Sequence, residues 1–461
     1  MEVFIRASTF SLLTLLHLIS VVSAGATATE LTLFGVTACL RSVFFLSKTL
    51  TGNLAEIIVW LQIDFSFMTY PGLFYLVQSP RVYCSDPSMV LGSGFGLLIA
   101  VFLTSYFPMN RSSRSVSMAV EWNDIKAGQG IVVLILLLCG GFIASGVCHY
   151  YGISVMGSAP DVVLPYKIGG VLNQSRAVAI PLAFAVVLDM FLMSRGLRRY
   201  VGFVLGAVSL WGIVEMGVRI SKGALLNALL PSFLVLFYRG LVSSRLVILS
   251  LAGLAVTVLG YSVIENVRDR VAWTGSVSLG SILVDGVGDY NVGVEESKGA
   301  DAARFLTRIF KGGQHFDKMY PHMEDFFWDS KLDEINRLGG PYEYHTVVID
   351  GFEKGSVEAV HSSGICGFSE AFLIGGYWAV VATAVVLALV ARRIDDRRRS
   401  FVFRSLPGRV LICSFLIYVL IGGFWSLFYI GLQSLMWPFV FVMLLFAERR
   451  AMKPVMTSKL L

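Results

Sequence analysis

Runs of about twenty apolar residues, each closed by a short polar stretch, recur along nearly the whole chain, and polar positions fall between the runs rather than alternating within them. A hydrocarbon core roughly 30 Å thick needs about 20 residues of helix to cross it, so this pattern predicts transmembrane helices. Membrane barrel strands would alternate polar and apolar at every second residue, which these runs do not. The expected fold is therefore an all-α polytopic membrane protein with about 12 transmembrane helices. They are predicted at residues 8–24, 30–47, 54–77, 89–107, 129–149, 176–194, 200–217, 223–238, 245–264, 371–391, 409–428 and 431–447.

Between the ninth and tenth spans, residues 265–370 contain no such run. They hold 18 of the 31 acidic residues against 10 Lys and Arg, which predicts one large, partly helical loop domain. Segments 297–313 and 323–340 carry apolar residues at helical spacing and end in glycine, as capped helices do. The organisation expected is spans 1–9 over residues 1–264, the loop domain over 265–370, and spans 10–12 with a tail over 371–461. The aromatic density of HFDKMYPHMEDFFWD (315–329) fits core packing, a position in the headgroup layer, or stacking on sugars.

Composition adds little to this and contradicts none of it: 56% of the 461 residues are hydrophobic and 15% charged, and mean hydropathy is +0.72. The net charge of +6 reports orientation rather than nucleic-acid binding. The basic turn RRIDDRRR (392–399) belongs on the cytoplasmic side, which places both termini inside and the large loop outside. Among the short external segments this leaves only Arg81, Lys167, Arg176, Arg219 and Lys222. At the N-terminus, SLLTLLHLISVVS followed by SAGATA also fits a cleavable leader, which would remove residues 1–24 and leave the other spans unchanged. The six cysteines show neither a CxxC pair nor a disulfide framework; at most Cys84, Cys148 and Cys366 are placed to pair. His315 and His322 match no zinc spacing, so neither metal nor cofactor is expected.

Charged residues in or at the ends of spans carry the functional signal, because lipid selects against them. Asp64 lies midway along the third span, where it either bonds a neighbouring helix or forms a proton or ion site. Arg41 lies in the second span and is expected to snorkel to the inner surface, and Asp189 to pair with Arg195 at the surface. VEMGVRISKGALLNALLP (214–231) places Arg219 and Lys222 three residues apart at an external boundary. They serve either as headgroup anchors or as a clamp for a lipid-linked phosphate or diphosphate. Arg268, Arg270, Arg304 and Arg308 would add to such a basic surface. HSSGICGFSEAFLIGGYW (361–378) leads a late span with His361 and Glu370, either of which could take a proton at the boundary.

This layout, together with SKGALL at 221–226 and GFSEAFLIGGYWAVV at 367–381, resembles the bacterial Wzy-type O-antigen polymerases, within a group that includes the O-antigen ligases. Lys222 stands where the family's S-R-G-x-L-L pattern has arginine, and HSSG at 361–364 is similar to the loop histidine of the ligase branch. The resemblance implies a GT-C-like glycosyltransferase of the bacterial cytoplasmic membrane, acting on its periplasmic face. It implies undecaprenyl-diphosphate-linked glycans as substrates, no cofactor, and membrane lipid and a chain-length regulator protein as partners. Arg219, Lys222, Arg268, Arg270, Arg304 and Arg308 would then hold diphosphate or glycan, with His361 or Glu370 as the catalytic base. A ligase would use the same residues. A transporter or flippase, the alternative from another class, predicts paired ionisable residues deep in several spans.

Overall fold

The structure is a computed structural model. It describes residues 2–50, 52–77, 84–106, 127–151, 172–173, 175–194, 196–219, 222–241, 318–319, 332–351, 353, 366–395 and 406–422. Among these residues the secondary structure is helical, with no strand. In chain order the helices are α1 (Glu2–Ser23), α2 (Ala28–Ser47), α3 (Leu54–Ile63), α4 (Tyr70–Val77), α5 (Pro87–Tyr106), α6 (Ala127–Tyr150) and α7 (Ile180–Met193). After them come α8 (Val201–Arg219), α9 (Lys222–Tyr238), α10 (Leu332–Leu338), α11 (Pro341–Tyr344), α12 (Gly367–Asp395) and α13 (Leu406–Gly422). Wider π-helical turns occupy Asp64–Thr69, Ser175–Ala179 and His345–Ile349.

Eight helices among the described residues are long and apolar enough to cross a membrane, and each coincides with an expected span. The π-helical turn at Asp64–Thr69 joins α3 to α4 within one such helix, Leu54–Leu76. The run expected at 223–238 forms the shorter α9, with Pro231 inside it. The span at 409–428 begins in α13, while those at 245–264 and 431–447 lie outside the described residues, as does most of the loop domain. Within residues 265–370, α10 ends at Leu338, just before Gly339 with φ 112°, as the glycine-terminated pattern predicted. The late span starts earlier than expected: α12 begins at Gly367, so Glu370 is already inside its first turn.

The chain divides into two compact units. The first comprises Met1–Arg111, Tyr290–Asp395 and Phe415–Leu427, and the second Ser112–Asp289, Asp396–Ser414 and Phe428–Leu461. In the first, α1 packs on α4 and α2, while α12 packs on α3 and α5. The α1–α4 approach is backbone on backbone, since a Cβ at Gly72 would lie 2.3 Å from the Leu16 carbonyl oxygen. The Gly72 N–H donates to Ser20 Oγ at 2.7 Å, satisfying a group that lipid could not. Trp60 of α3 stacks on Phe44 of α2, with ring centres 4.3 Å apart. The N-terminus of α3 is capped from 340 residues away: the Asp395 carboxylate, in the last turn of α12, accepts the backbone N–H groups of Ala55 and Glu56 at 3.2 and 2.9 Å. An acid at this position satisfies orphan donors and complements the positive end of the helix dipole.

In the second unit α9 packs on α8 and α7, and α6 packs on both α7 and α8. Gly212 lets α8 approach Leu225 and Ala228 of α9, and Trp211 of α8 covers Gly141 of α6. These close contacts suit helices in lipid, where apolar surface alone supplies little drive to associate.

Candidate functional site

The strongest chemical features of both units are ion pairs buried among the spans, and the sequence did not show which residues pair. In the first unit Arg41 of α2 is fully buried and makes a bidentate pair with Asp64, Nε to Oδ2 at 2.8 Å and Nη2 to Oδ1 at 2.6 Å. Its Nη1 donates to Thr14 Oγ1 of α1 at 3.1 Å, and Trp60 Nε1 donates to Asp64 Oδ2 at 3.2 Å. Arg41 therefore does not snorkel to the surface, as its sequence position had suggested. A guanidinium at a span's centre costs about 2.5–3.5 kcal/mol on insertion scales, and a fork-shaped carboxylate partner offsets that better than a long reach to water. Asp64 is correspondingly a cross-helix partner, and the π-helical turn begins at this residue.

Asp189 of α7 is also buried; its expected partner Arg195 lies outside the described residues. Arg239, just past α9, donates from Nε at 2.8 Å and Nη2 lies 2.6 Å from the same Oδ1. The chain returns Arg239 to the end of α7 because α9 packs on α7 throughout. A shallower pair, Lys48 Nζ to Glu56 Oε2 at 2.7 Å, closes the end of α2 against the start of α3.

At the Arg219 end of α8 the second unit gathers more charge. Arg176, in the π-helical turn preceding α7, is fully buried and donates through Nε to both oxygens of Glu215 of α8, at 2.9 and 3.2 Å. Ser145 Oγ of α6 also donates to the Glu215 carboxylate. Arg219 follows Glu215 by four residues, one helical turn, and is half-buried. Lys222 is the first residue of α9, immediately beyond. Two of the expected phosphate-binding residues, Arg219 and Lys222, thus share one end of this unit with Arg176, a residue that sequence reading had only counted as an external cation. Arg176 and Glu215 each stand out in the sequence as charges in or beside a span, but thirty-nine positions separate them and their pairing does not show there.

Glu370 belongs to the first unit. It is 1% exposed, and its backbone N–H closes the first turn of α12 on the Cys366 carbonyl at 3.0 Å. Phe368 beside it meets Phe67 of the Asp64–Thr69 turn edge-on, and Gly367 lies against the Val419 carbonyl of α13. α12 breaks five residues after Glu370: Gly375 has φ −156° and ψ 28°, and Gly376 has φ 65° and ψ −162°. Helical geometry resumes at Tyr377, whose hydroxyl donates to the Ser93 carbonyl of α5 at 2.8 Å. Glu370 therefore rides on a short helical piece set off from the rest of its span. Non-helical backbone inside a bilayer is tolerated where protein or a polar cavity covers it.

His361, Arg268, Arg270, Arg304 and Arg308 lie outside the described residues. The described part of residues 265–370 supplies another charged group. His345 Nδ1 lies 3.3 Å from Asp350 Oδ2, and Lys318 Nζ donates to Asp350 Oδ1 at 2.6 Å. Burial alone would push the Asp350 carboxyl up; the hydrogen bonds and charges of His345 and Lys318 outweigh it and hold Asp350 below the usual carboxylate range. Among the described residues no cluster of His, Cys, Asp or Glu is placed to hold a metal ion.

Comparison with protein-family models, with characterised proteins and with solved structures finds no match to this chain.

Proposed function

We propose that this chain is a membrane-embedded glycosyltransferase that joins undecaprenyl-diphosphate-linked oligosaccharide repeat units into a surface polysaccharide. The observation that carries this reading is that Arg219 and Lys222 stand at the end of the second unit where Arg176 pairs with the buried carboxylate of Glu215. In such a transfer the acceptor sugar hydroxyl attacks the anomeric carbon of the donor, the anomeric C–O bond to phosphate breaks, and a lipid diphosphate leaves with the bonding pair. Cations beside the leaving group stabilise the charge that develops there, and a base takes the hydroxyl proton. Arg219 is the first cation in this role, with Lys222, Arg268, Arg270, Arg304 and Arg308 as further contacts. Glu370 or His361 is the base, and Glu370 is buried on a short helical piece beside a helix break.

Replacement of Arg219 by Ala or Glu370 by Gln in the native cell should each collapse the ladder of polysaccharide lengths on a gel to single repeat units, while the protein level in the membrane stays the same. An unchanged ladder for both variants sinks this assignment.

A second reading draws on a different observation. Arg41–Asp64 is an ionisable pair deep in a span, and Arg176–Glu215 and Asp189–Arg239 are further pairs toward span ends, the kind of groups a transporter or flippase of lipid-linked glycans would use.

A further inference from the structure

Within the first unit, buried titratable groups form a file along α2 that the proposed glycosyl transfer does not use. Glu30 stands in the first turn of α2, Thr37 and Arg41 in its middle, and Lys48 caps its end. From residue 30 to residue 48 a helix rises about 27 Å, close to the full hydrocarbon thickness. Each level is polar. At one end Glu30, 7% exposed, accepts from Ser88 Oγ of α5 through Oε1, while its Oε2 is buried without a hydrogen-bond partner. In the middle His17 of α1 is fully buried against Phe34 of α2, and neither ring nitrogen has a hydrogen-bond partner. Thr37, one turn beyond Phe34 on α2, is likewise fully buried with its hydroxyl unpartnered. One turn further lies the Arg41–Asp64 pair, tied to α1 through Thr14, itself three residues from His17. At the other end Glu56, eight residues before Asp64 on α3, is held by Lys48 and by Asn53 Nδ2 at 3.2 Å.

Apolar helices forming only a scaffold would not keep an imidazole, a carboxylate oxygen and a hydroxyl buried and unsatisfied at successive levels, since each forfeits its hydration for nothing. An imidazole and carboxylates spaced along one line of a bundle are, however, what a proton needs to cross lipid. Along the helices the step from Glu30 to the level of His17 is about 6 Å and the two later steps about 10–12 Å, a length that about three hydrogen-bonded waters span.

We propose that Glu30, His17, Asp64 and Glu56 form a proton path through the first unit, with Arg41 as its gate. A proton arriving at Glu30 passes to His17 and then to Asp64, which accepts it by releasing one of its two bonds to Arg41. Asp64 then yields it to Glu56, and every group returns to its starting state. Arg41 stays charged throughout, and Thr14 and Trp60 hold the pair in register while one bond is open. The charged groups on the described elements packed around the file are Glu30, Arg41, Lys48, Glu56 and Asp64, with Arg6 of α1 donating to the Phe45 and Lys48 carbonyls; α12 adds Glu370, Arg392, Arg393 and Asp395, the last turned to the N-terminus of α3. The ligand is the proton itself, and the path is independent of the glycosyl transfer proposed above.

The test uses the full chain in phospholipid vesicles enclosing a pH-sensitive dye, with a potassium gradient and valinomycin to drive protons inward and no glycan present. Wild type should acidify the lumen about tenfold faster than protein-free vesicles, and His17→Phe and Glu30→Gln should each return the rate to background. His17→Phe keeps the ring contact with Phe34, and its thermal unfolding, followed alongside, reports whether the bundle is intact; if it is not, Glu30→Gln at the bundle's edge carries the test. A wild-type rate equal to that of protein-free vesicles overturns the path, and so does a folded His17→Phe protein, or an intact Glu30→Gln protein, as fast as wild type.

Discussion

Arg41 and Asp64 show how a residue that looks misplaced becomes necessary once its partner is seen. Each is fully buried, so losing either one leaves an uncompensated charge among apolar side chains, whereas losing both leaves only a shape to fill. Asp64→Ala should therefore cost about 3–5 kcal/mol of stability, and Arg41→Met a similar amount. The double substitution Arg41→Met with Asp64→Leu should recover most of that loss, because buried pairs are often replaceable by apolar residues of similar volume. Thermal unfolding of the purified variants in detergent checks this, and a single variant that unfolds with wild type would mean that the pair is solvated rather than buried. The recovered double variant also separates structure from function, since it should fold yet carry no protons. Sequence reading found both residues as anomalies but assigned them to different fates, because hydropathy is counted along one helix at a time. Twenty-three positions separate them, and only the packing of α2 against the turn at residues 64–69 shows that the two costs offset each other. Asp189 likewise has a partner, Arg239, that lies fifty positions away in the chain and that a reading along one span does not find.

At the scale of elements the apolar period was a good guide to where helices lie and a poor one to where they deviate. Eight expected spans coincide with eight long helices, because about twenty apolar residues leave the backbone no other way to satisfy its polar groups in lipid. The π-helical turns at 64–69 and 175–179 were invisible, since one widened turn barely disturbs a run that is apolar on every face. Both carry a charged residue of a buried pair, Asp64 in one and Arg176 in the other, consistent with the tendency of π-turns to mark special sites. The break in α12 was half legible. The Gly375–Gly376 pair stood out behind Glu370, but not that it stops the helix. Gly376 adopts φ 65° and ψ −162°, a region open essentially to glycine alone, so Gly376→Ala should cost about 1–3 kcal/mol. Gly206, within α8 and facing open space, is the control: Gly206→Ala should be neutral or stabilising by up to about 1 kcal/mol. If the two alanines shift the unfolding midpoint alike, the break is not a fixed feature of the fold. If only Gly376→Ala also shortens the polysaccharide ladder, the piece of helix carrying Glu370 must be held in place for its role.

For the whole molecule, the two functional readings make opposite demands on the membrane that are independent of any single residue. A polymerase consumes lipid-linked repeat units after they have crossed the membrane, so its loss leaves single units exposed on the outer leaflet. A flippase moves those units, so its loss confines them to the inner leaflet. The buried pairs alone do not choose between these outcomes, because each pair has an internal partner and an ion pair that holds a bundle looks the same in a static fold as one that opens. The cation end of the second unit leans toward the first: Arg219 is half-buried, near enough to the surface to meet a diphosphate, and Glu215, one turn before it on α8, is held by Arg176. Deleting the chain from its native cell, then exposing intact cells to an enzyme that cleaves sugars and cannot enter, should degrade the accumulated lipid-linked single repeat units. Protection of those units until the cells are broken would transfer the assignment to the transport class, where the buried file along α2 would supply the proton coupling. Accessible units with no ladder would leave polymerisation as the missing step, and re-expression of Arg219→Ala should reproduce that same accessible, unjoined state.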